Sequence, residues 1–165
     1  MSNEPYIYHL AVKDSHKTAK QKIGLQKNRV DQLNVNIEGC EGDYNEYRTR
    51  HKQSTNDRAV SIITKQILDD LTTEGWGPVM PGDLGENITL GGEITIEIGQ
   101  RYSIGTVVLE ITEEIEPCNK LQFLPYVGRE KRVNFIQTLK KRRGYYAKVL
   151  LEGYIVPGDK VVQIN

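Results

Sequence analysis

The chain has two cysteines, and one of them is placed for chemistry. Cys118 follows directly on Pro117 at the end of a predicted strand, where side chains are exposed at the rim of a sheet. A thiolate there can act as a nucleophile, carry sulfur or ligate a soft metal. The alternative is a packed structural thiol, the ordinary state of a lone cysteine. Glu113, Glu114 and Glu116 precede it and disfavour the thiolate if they are close in space. An ionised Cys118 therefore needs a positive group or a metal beside it. Cys40, in a turn between Gly39 and Glu41, is read as a bystander.

The second feature is Pro81-Gly-Asp-Leu-Gly-Glu-Asn-Ile-Thr89. Gly82 and Gly85 open backbone conformations closed to other residues and let a ligand approach the main chain. Asn87 and Thr89 follow at i and i+2, on one face of the strand they begin. Donors grouped beside open backbone suit a phosphate or a heterocycle, whereas the same letters also describe an ordinary turn. A third feature is basic: Arg129, Lys131, Arg132 and the run Lys140 to Arg143. Most of that run is expected to serve a helix end, with cations on the dipole and Gly144 as the cap. Arg58 is the better anion ligand, read as lying near the N-terminus of the first helix. His9 and His16 lack partners at ligand spacing, and His51 lies among Arg48, Arg50 and Lys52 in a polar stretch from 41 to 57. No Walker or Rossmann glycine loop is present.

The elements that must position these residues are mostly short strands. Alternation of apolar with polar or aromatic residues predicts strands over 6–12, 30–37, 87–90, 94–98, 102–104, 107–115, 145–151 and 160–164. Ile63, Ile67 and Leu71 recur at i, i+4 and i+8 and predict a helix from about Val60 to Leu71. A second helix is expected over 133–139. Many strands with two modest helices predict a mainly β fold, a β-barrel or strongly bent sheet with helical insertions.

Composition bounds the rest. The 165 residues read as one domain over 1–165, able to bury a core without disulfides or structural metal. Lys plus Arg is 22 and Asp plus Glu is 22, and this balance argues against a nucleic-acid coat or a membrane-surface protein. No apolar run is long enough to span a bilayer, and no secretory leader is visible. With two cysteines, the expected compartment is the reducing cytoplasm.

Taken in order, these features resemble the MOSC domain, named for the C-terminal domain of molybdenum-cofactor sulfurases, in its short stand-alone bacterial type. The resemblance rests on Gly42-Asp43, Arg58-Ala-Val-Ser-Ile62, the Pro81-to-Thr89 loop, Ile98-Gly99 and Ile104-to-Thr112. It continues through Cys118, Arg142-to-Val149 and Val156-to-Val161, so it covers nearly the whole chain. It implies a β-barrel-like domain whose cysteine ligates molybdenum held by a pyranopterin (the molybdenum cofactor) or carries sulfur. Mapped residue by residue, Cys118 would be the metal ligand or carrier. Asn87 and Thr89 would face the cofactor, Arg58 would hold its phosphate, and Lys20 and Arg143 would assist. Three activities are compatible with that mapping: a molybdenum-dependent reductase of N-hydroxylated compounds, a carrier passing persulfide sulfur from Cys118, and a non-catalytic binding module. The first needs an external electron donor and the second a sulfur donor protein. No nucleic-acid or membrane partner is expected.

Overall fold

The first strand, β1 (Tyr6–Val12), forms where the alternating aromatic and branched residues predict it. It belongs to a computed structural model that describes residues 3–13, 24–44 and 56–165. Lys20, His16, His51 and most of the polar 41–57 stretch lie outside the described residues. After β1 come β2 (Asn28–Arg29), β3 (Leu33–Asn36) and β4 (Gly39–Cys40). A 3-10 turn at Asn56–Arg58 then leads into β5 (Val60–Thr64).

β5 overturns one expectation, because Val60 to Ile63 are strand and not the first turn of a helix. Each of Val60, Ser61, Ile62 and Ile63 is buried, since β5 lies between two neighbours and is covered on both faces. A strand buried on both sides carries an unbroken apolar run, and over a few residues such a run mimics helical spacing. The β-branched residues decide in favour of extended backbone. Helix α1 (Lys65–Thr73) starts only after Thr64, whose hydroxyl accepts from Ile67 N at 3.4 Å.

Beyond the glycine-rich loop lie β6 (Ile88–Gly91), β7 (Arg101–Ile104) and β8 (Val107–Glu114). The stretch 94–98 alternates as a strand would but joins no ladder. A 3-10 turn at Asn119–Phe123 follows Cys118, and α2 (Gly128–Leu139) begins five residues earlier than its apolar spacing predicts. The chain ends in β9 (Tyr145–Leu151), β10 (Gly153–Ile155) and β11 (Val161–Ile164).

Eight strands form one sheet in the order β11-β7-β8-β9-β5-β6-β1-β2, and β10-β3-β4 form a second. The fold is mainly β with two α-helices among the described residues. The expected barrel is not what the hydrogen bonds build: the large sheet is open, with β11 and β2 at its edges. The start of β1 and the turn into β11 are joined by a bridge between Tyr6 and Lys160 and by bonds from Ile7 N to Asp159 O, Gly158 N to Ile7 O and Val161 N to Pro5 O, but no named strands pair there to close a cylinder. All pairings in the large sheet are antiparallel except β5 with β6.

Two apolar clusters hold the structure. One gathers Ile7, Leu10, Leu33, Val60, Ile62, Ile88, Leu109 and Ala147 between the sheets. The other packs Phe135 and Leu139 of α2 and Leu68 and Leu71 of α1 against Leu84, Leu121 and Leu124. Trp76 stacks tilted on Phe135 with ring centroids 4.7 Å apart. The glycine-rich loop and the segment after Cys118 both contribute to this second cluster, which therefore fixes them relative to each other. No described helix is long and apolar enough to cross a membrane.

Candidate functional site

Cys118 caps the N-terminus of the 3-10 turn, on extended backbone, and accepts a hydrogen bond from Leu121 N through its carbonyl at 3.2 Å. Its side chain is exposed, whereas Cys40 is buried, and neither is in a disulfide. This selects between the two readings of the thiol: Cys118 is not packed in the core. Brief treatment of the folded protein with an alkylating agent is expected to label Cys118 and leave Cys40 unmodified, as peptide mass mapping would show. Equal labelling of both would contradict the placement.

The basic group that the structure brings toward Cys118 is Arg143. Sequence grouped it with the cations of a helix end, but the structure separates them. Arg142 reaches back to Glu74 of the loop after α1, with Nη2 2.7 Å from Oε1 and Nη1 3.0 Å from Oε2. Lys141 turns the chain in the left-handed region at φ 63°. Arg143, in contrast, is 5% exposed and donates from Nη2 to the Leu84 carbonyl. Gly144 is no helix cap; it is where the chain passes tightly over β5 before β9 begins. Burial pulls the Arg143 guanidinium below its ordinary pKa, and the charges of Glu86, Tyr146 and Cys118 oppose that pull. Cys118 and Arg143 are thus within electrostatic reach of each other.

Tyr146 of β9 joins Arg58 to this group. The Arg58 guanidinium lies 5.3 Å from the Tyr146 ring centroid and is ion-paired to Glu113 of β8. The phenol is pushed up by burial, while Arg143 and Arg58 draw it down and Glu113 and Cys118 raise it. Arg58 does not stand at a helix N-terminus, because the whole of β5 separates it from α1. Its surroundings are a ring face and a carboxylate.

Asn87 and Thr89 are placed differently from the open donors that their spacing predicted. Both are buried. Asn87 Nδ2 donates to the Ala11 carbonyl at 3.1 Å and to Asp43 Oδ2 at 3.0 Å. Its Oδ1 accepts from Ser61 N and lies 3.1 Å from Ser61 Oγ. Asp43 in turn accepts from Lys13 N at 2.7 Å and from Lys27 Nζ at 2.8 Å. Asn87 is therefore a knot tying β1, β5, the glycine-rich loop and the turn after β4. Thr89 Oγ1 donates to Glu86 Oε1 at 3.2 Å, and that oxygen also accepts from Gly82 N at 2.5 Å.

Glu86 was missed in the sequence. It is 1% exposed, and burial pushes its carboxyl above the ordinary carboxylate range against the opposing bonds from Gly82 and Thr89 and the charge of Arg143. The available signal was a carboxylate between Leu84-Gly85 and Ile88, in a stretch otherwise composed for burial. Tyr146, Ser61 and Asp43 lie in stretches that carry the family resemblance, but no role in the site was read for them.

Among the described residues no three His, Cys, Asp or Glu side chains converge as a metal cage. Any metal held at Cys118 would take one thiolate from this part of the chain and its other ligands from elsewhere. A phosphorylated dithiolene cofactor has such ligands of its own, and Arg143 Nη1 is a buried donor without a partner. Cys118 and Arg143 fit such a group. Asn87 and Thr89 fit it only as the supports of the loop.

The fold and site define a mainly β domain with an exposed cysteine and, within electrostatic reach of it, a buried arginine. The family model of the MOSC domain matches residues 48–162, and the chain belongs to that family. Its fold is similar to the YuaD protein of Bacillus subtilis, at 18% identity over 95% of this chain and 93% of that one, with a TM-score of 0.75. YiiM of Geobacillus stearothermophilus is similar at 23% identity over 98% of this chain and 75% of its own, with a TM-score of 0.72. YiiM of Escherichia coli is similar at 17% identity, 98% and 69% coverage and a TM-score of 0.65. No curated protein matches the chain.

Proposed function

We propose that the protein binds the molybdenum cofactor, with the Cys118 thiolate as the protein's ligand to molybdenum, and acts as an oxidoreductase on N-hydroxylated compounds. The observation that carries this reading is the exposed Cys118 thiol within reach of a buried guanidinium that has an unpartnered N–H. Membership of the MOSC family supports it. When bound, the cofactor would supply two-electron oxygen-atom chemistry, which no side chain of this chain can perform.

The chain's own contributions are binding and electrostatics. Cys118 presents a soft anionic sulfur suited to molybdenum. Arg143 offers its unpartnered Nη1 to an anionic part of the cofactor. Arg58 and Tyr146 form the polar wall on the β8–β9 side, and the Asn87 knot holds the glycine-rich loop in place. Reducing an N–OH group to N–H consumes two electrons and two protons and releases one water. The electrons would come from an external donor protein and the protons from solvent.

The same exposed thiol also favours a second reading, in which Cys118 holds a persulfide and passes its outer sulfur to an acceptor. One experiment separates the two: elemental analysis and intact mass of protein purified from a host that makes the cofactor. Molybdenum with pterin supports the first reading. A mass gain of one sulfur atom on Cys118 without metal supports the second. An unmodified, metal-free chain rejects both and leaves a binding module.

A further inference from the structure

Glu86 Oε2 and Arg143 Nη1 are the buried side-chain polar atoms without a hydrogen-bond partner among the described residues. A buried polar group left unpaired costs about 1–3 kcal/mol, so each calls for a partner, and the Arg143 guanidinium lies against Gly85, the residue before Glu86, with Nη2 3.4 Å from where a Cβ at Gly85 would stand. The two atoms come from different parts of the chain, one from the loop before β6 and the other from the turn before β9. Leu84 links the two, since its carbonyl accepts from Arg143 Nη2 two residues before Glu86.

We propose that Glu86 and Arg143 form an oxyanion subsite that is filled only while Glu86 carries its proton. The hydrogen bonds locate that proton. Oε1 already accepts from Gly82 N and from Thr89 Oγ1, so a protonated Glu86 carries its hydrogen on Oε2. Oε2–H and Nη1–H are then two donors with nothing to donate to, beside one fixed positive charge. An oxyanion offers both of them acceptors. Once Glu86 ionises, Oε2 becomes a negative acceptor and repels the same ligand.

The groups that bear on Glu86 are Arg143 from the turn before β9, Thr89 from β6 and Tyr126 from the segment before α2. The Tyr126 hydroxyl donates to Asp83 and its phenol feels the Glu86 charge. Arg143 favours ionisation of Glu86 while burial opposes it more strongly, so its carboxyl holds its proton to higher pH than an ordinary glutamate. The subsite lies in the region given above to the cofactor and to that extent rests on the same reading. The anion itself can be the cofactor's phosphate monoester or a free oxyanion.

The test is calorimetric titration of metal-free protein with sulfate, at constant ionic strength set with chloride. Sulfate keeps the same charge from mildly acid to mildly alkaline pH. Wild type is expected to bind saturably and to weaken tenfold or more as pH rises through the titration of Glu86. Glu86→Gln keeps a donor at the same place and is expected to bind with a flat pH profile. Glu86→Ala loses one charge-assisted donor and is expected to bind about tenfold more weakly. Wild type without saturable binding would mean that buried water alone fills the gap, and the proposal falls. A folded Glu86→Gln that no longer binds would also overturn it, because Oε2 would then be an acceptor. In cofactor-loaded protein, loss of sulfate binding identifies the cofactor's phosphate as the occupant, and retained binding identifies a free anion. The metal-free titration stands even if no molybdenum is ever found.

Discussion

Asn87→Ala is expected to lower the thermal midpoint by roughly 10 °C, from a loss of about 3–5 kcal/mol. The side chain is buried and makes four polar contacts to three separate segments. Alanine removes all of them at once and deprives the Ser61 N–H and the Ala11 carbonyl of the Asn87 side chain, while Asp43 Oδ2 keeps only its bond from Lys27. Asn87→Asp separates hydrogen bonding from packing. It keeps the shape and the acceptor toward Ser61, but sets a carboxylate oxygen against the Ala11 carbonyl and Asp43, so it is expected to be nearly as harmful. A melting curve of Asn87→Ala superimposable on wild type would show that the knot does not hold the loop.

Gly144→Ala is the second large effect, with an expected loss of about 3 kcal/mol from left-handed strain and overpacking together. Gly144 has φ 96°, and a Cβ there would lie closer than 3.0 Å to the backbone oxygen of Ile62 and against Ile63. That oxygen belongs to the centre of β5 and cannot move aside. Relief must come from the start of β9, which carries Arg143 on one side and Tyr145 and Tyr146 on the other. The Gly144 carbonyl also accepts from Ile115 N at 2.9 Å, so the shift reaches the segment leading to Cys118. The variant should therefore lose cofactor or sulfate binding in proportion to its destabilisation. Unchanged stability, read by denaturant unfolding, would contradict the close approach.

These two residues also show how far the sequence could be read. Period-two alternation located β1, β7, β8, β9 and β11 because each has one face on the apolar core. It failed at β5, whose two buried faces erase the alternation, and at 94–98, where alternation exists without a neighbouring strand to pair. β10 is three residues long, too short to carry a pattern. An open sheet and a barrel have the same strand patterns, so closure was beyond reach. At the site, Cys118 was legible because proline and a strand end place a side chain at a rim. Arg143 was chosen for the site, but nothing local distinguishes it from Arg142, which pairs with Glu74. That difference is made by burial under Leu84, a tertiary contact between residues 59 apart. Asn87 was singled out for its hydrogen-bonding capacity, and the capacity is used inward, on Asp43 and Ser61.

Molybdenum content per chain tests the central claim most directly, measured on wild type, Cys118→Ser and Cys40→Ser from a cofactor-producing host. The account predicts about one molybdenum per chain in wild type and in Cys40→Ser, and a near-complete loss in Cys118→Ser. Stripped of cofactor, Cys118→Ser should keep the wild-type melting temperature, since Cys118 is exposed, whereas Cys40→Ser is expected to melt somewhat lower because it buries a hydroxyl in the apolar core. Molybdenum retained at the wild-type level in folded Cys118→Ser would contradict the assignment of Cys118 as the metal ligand.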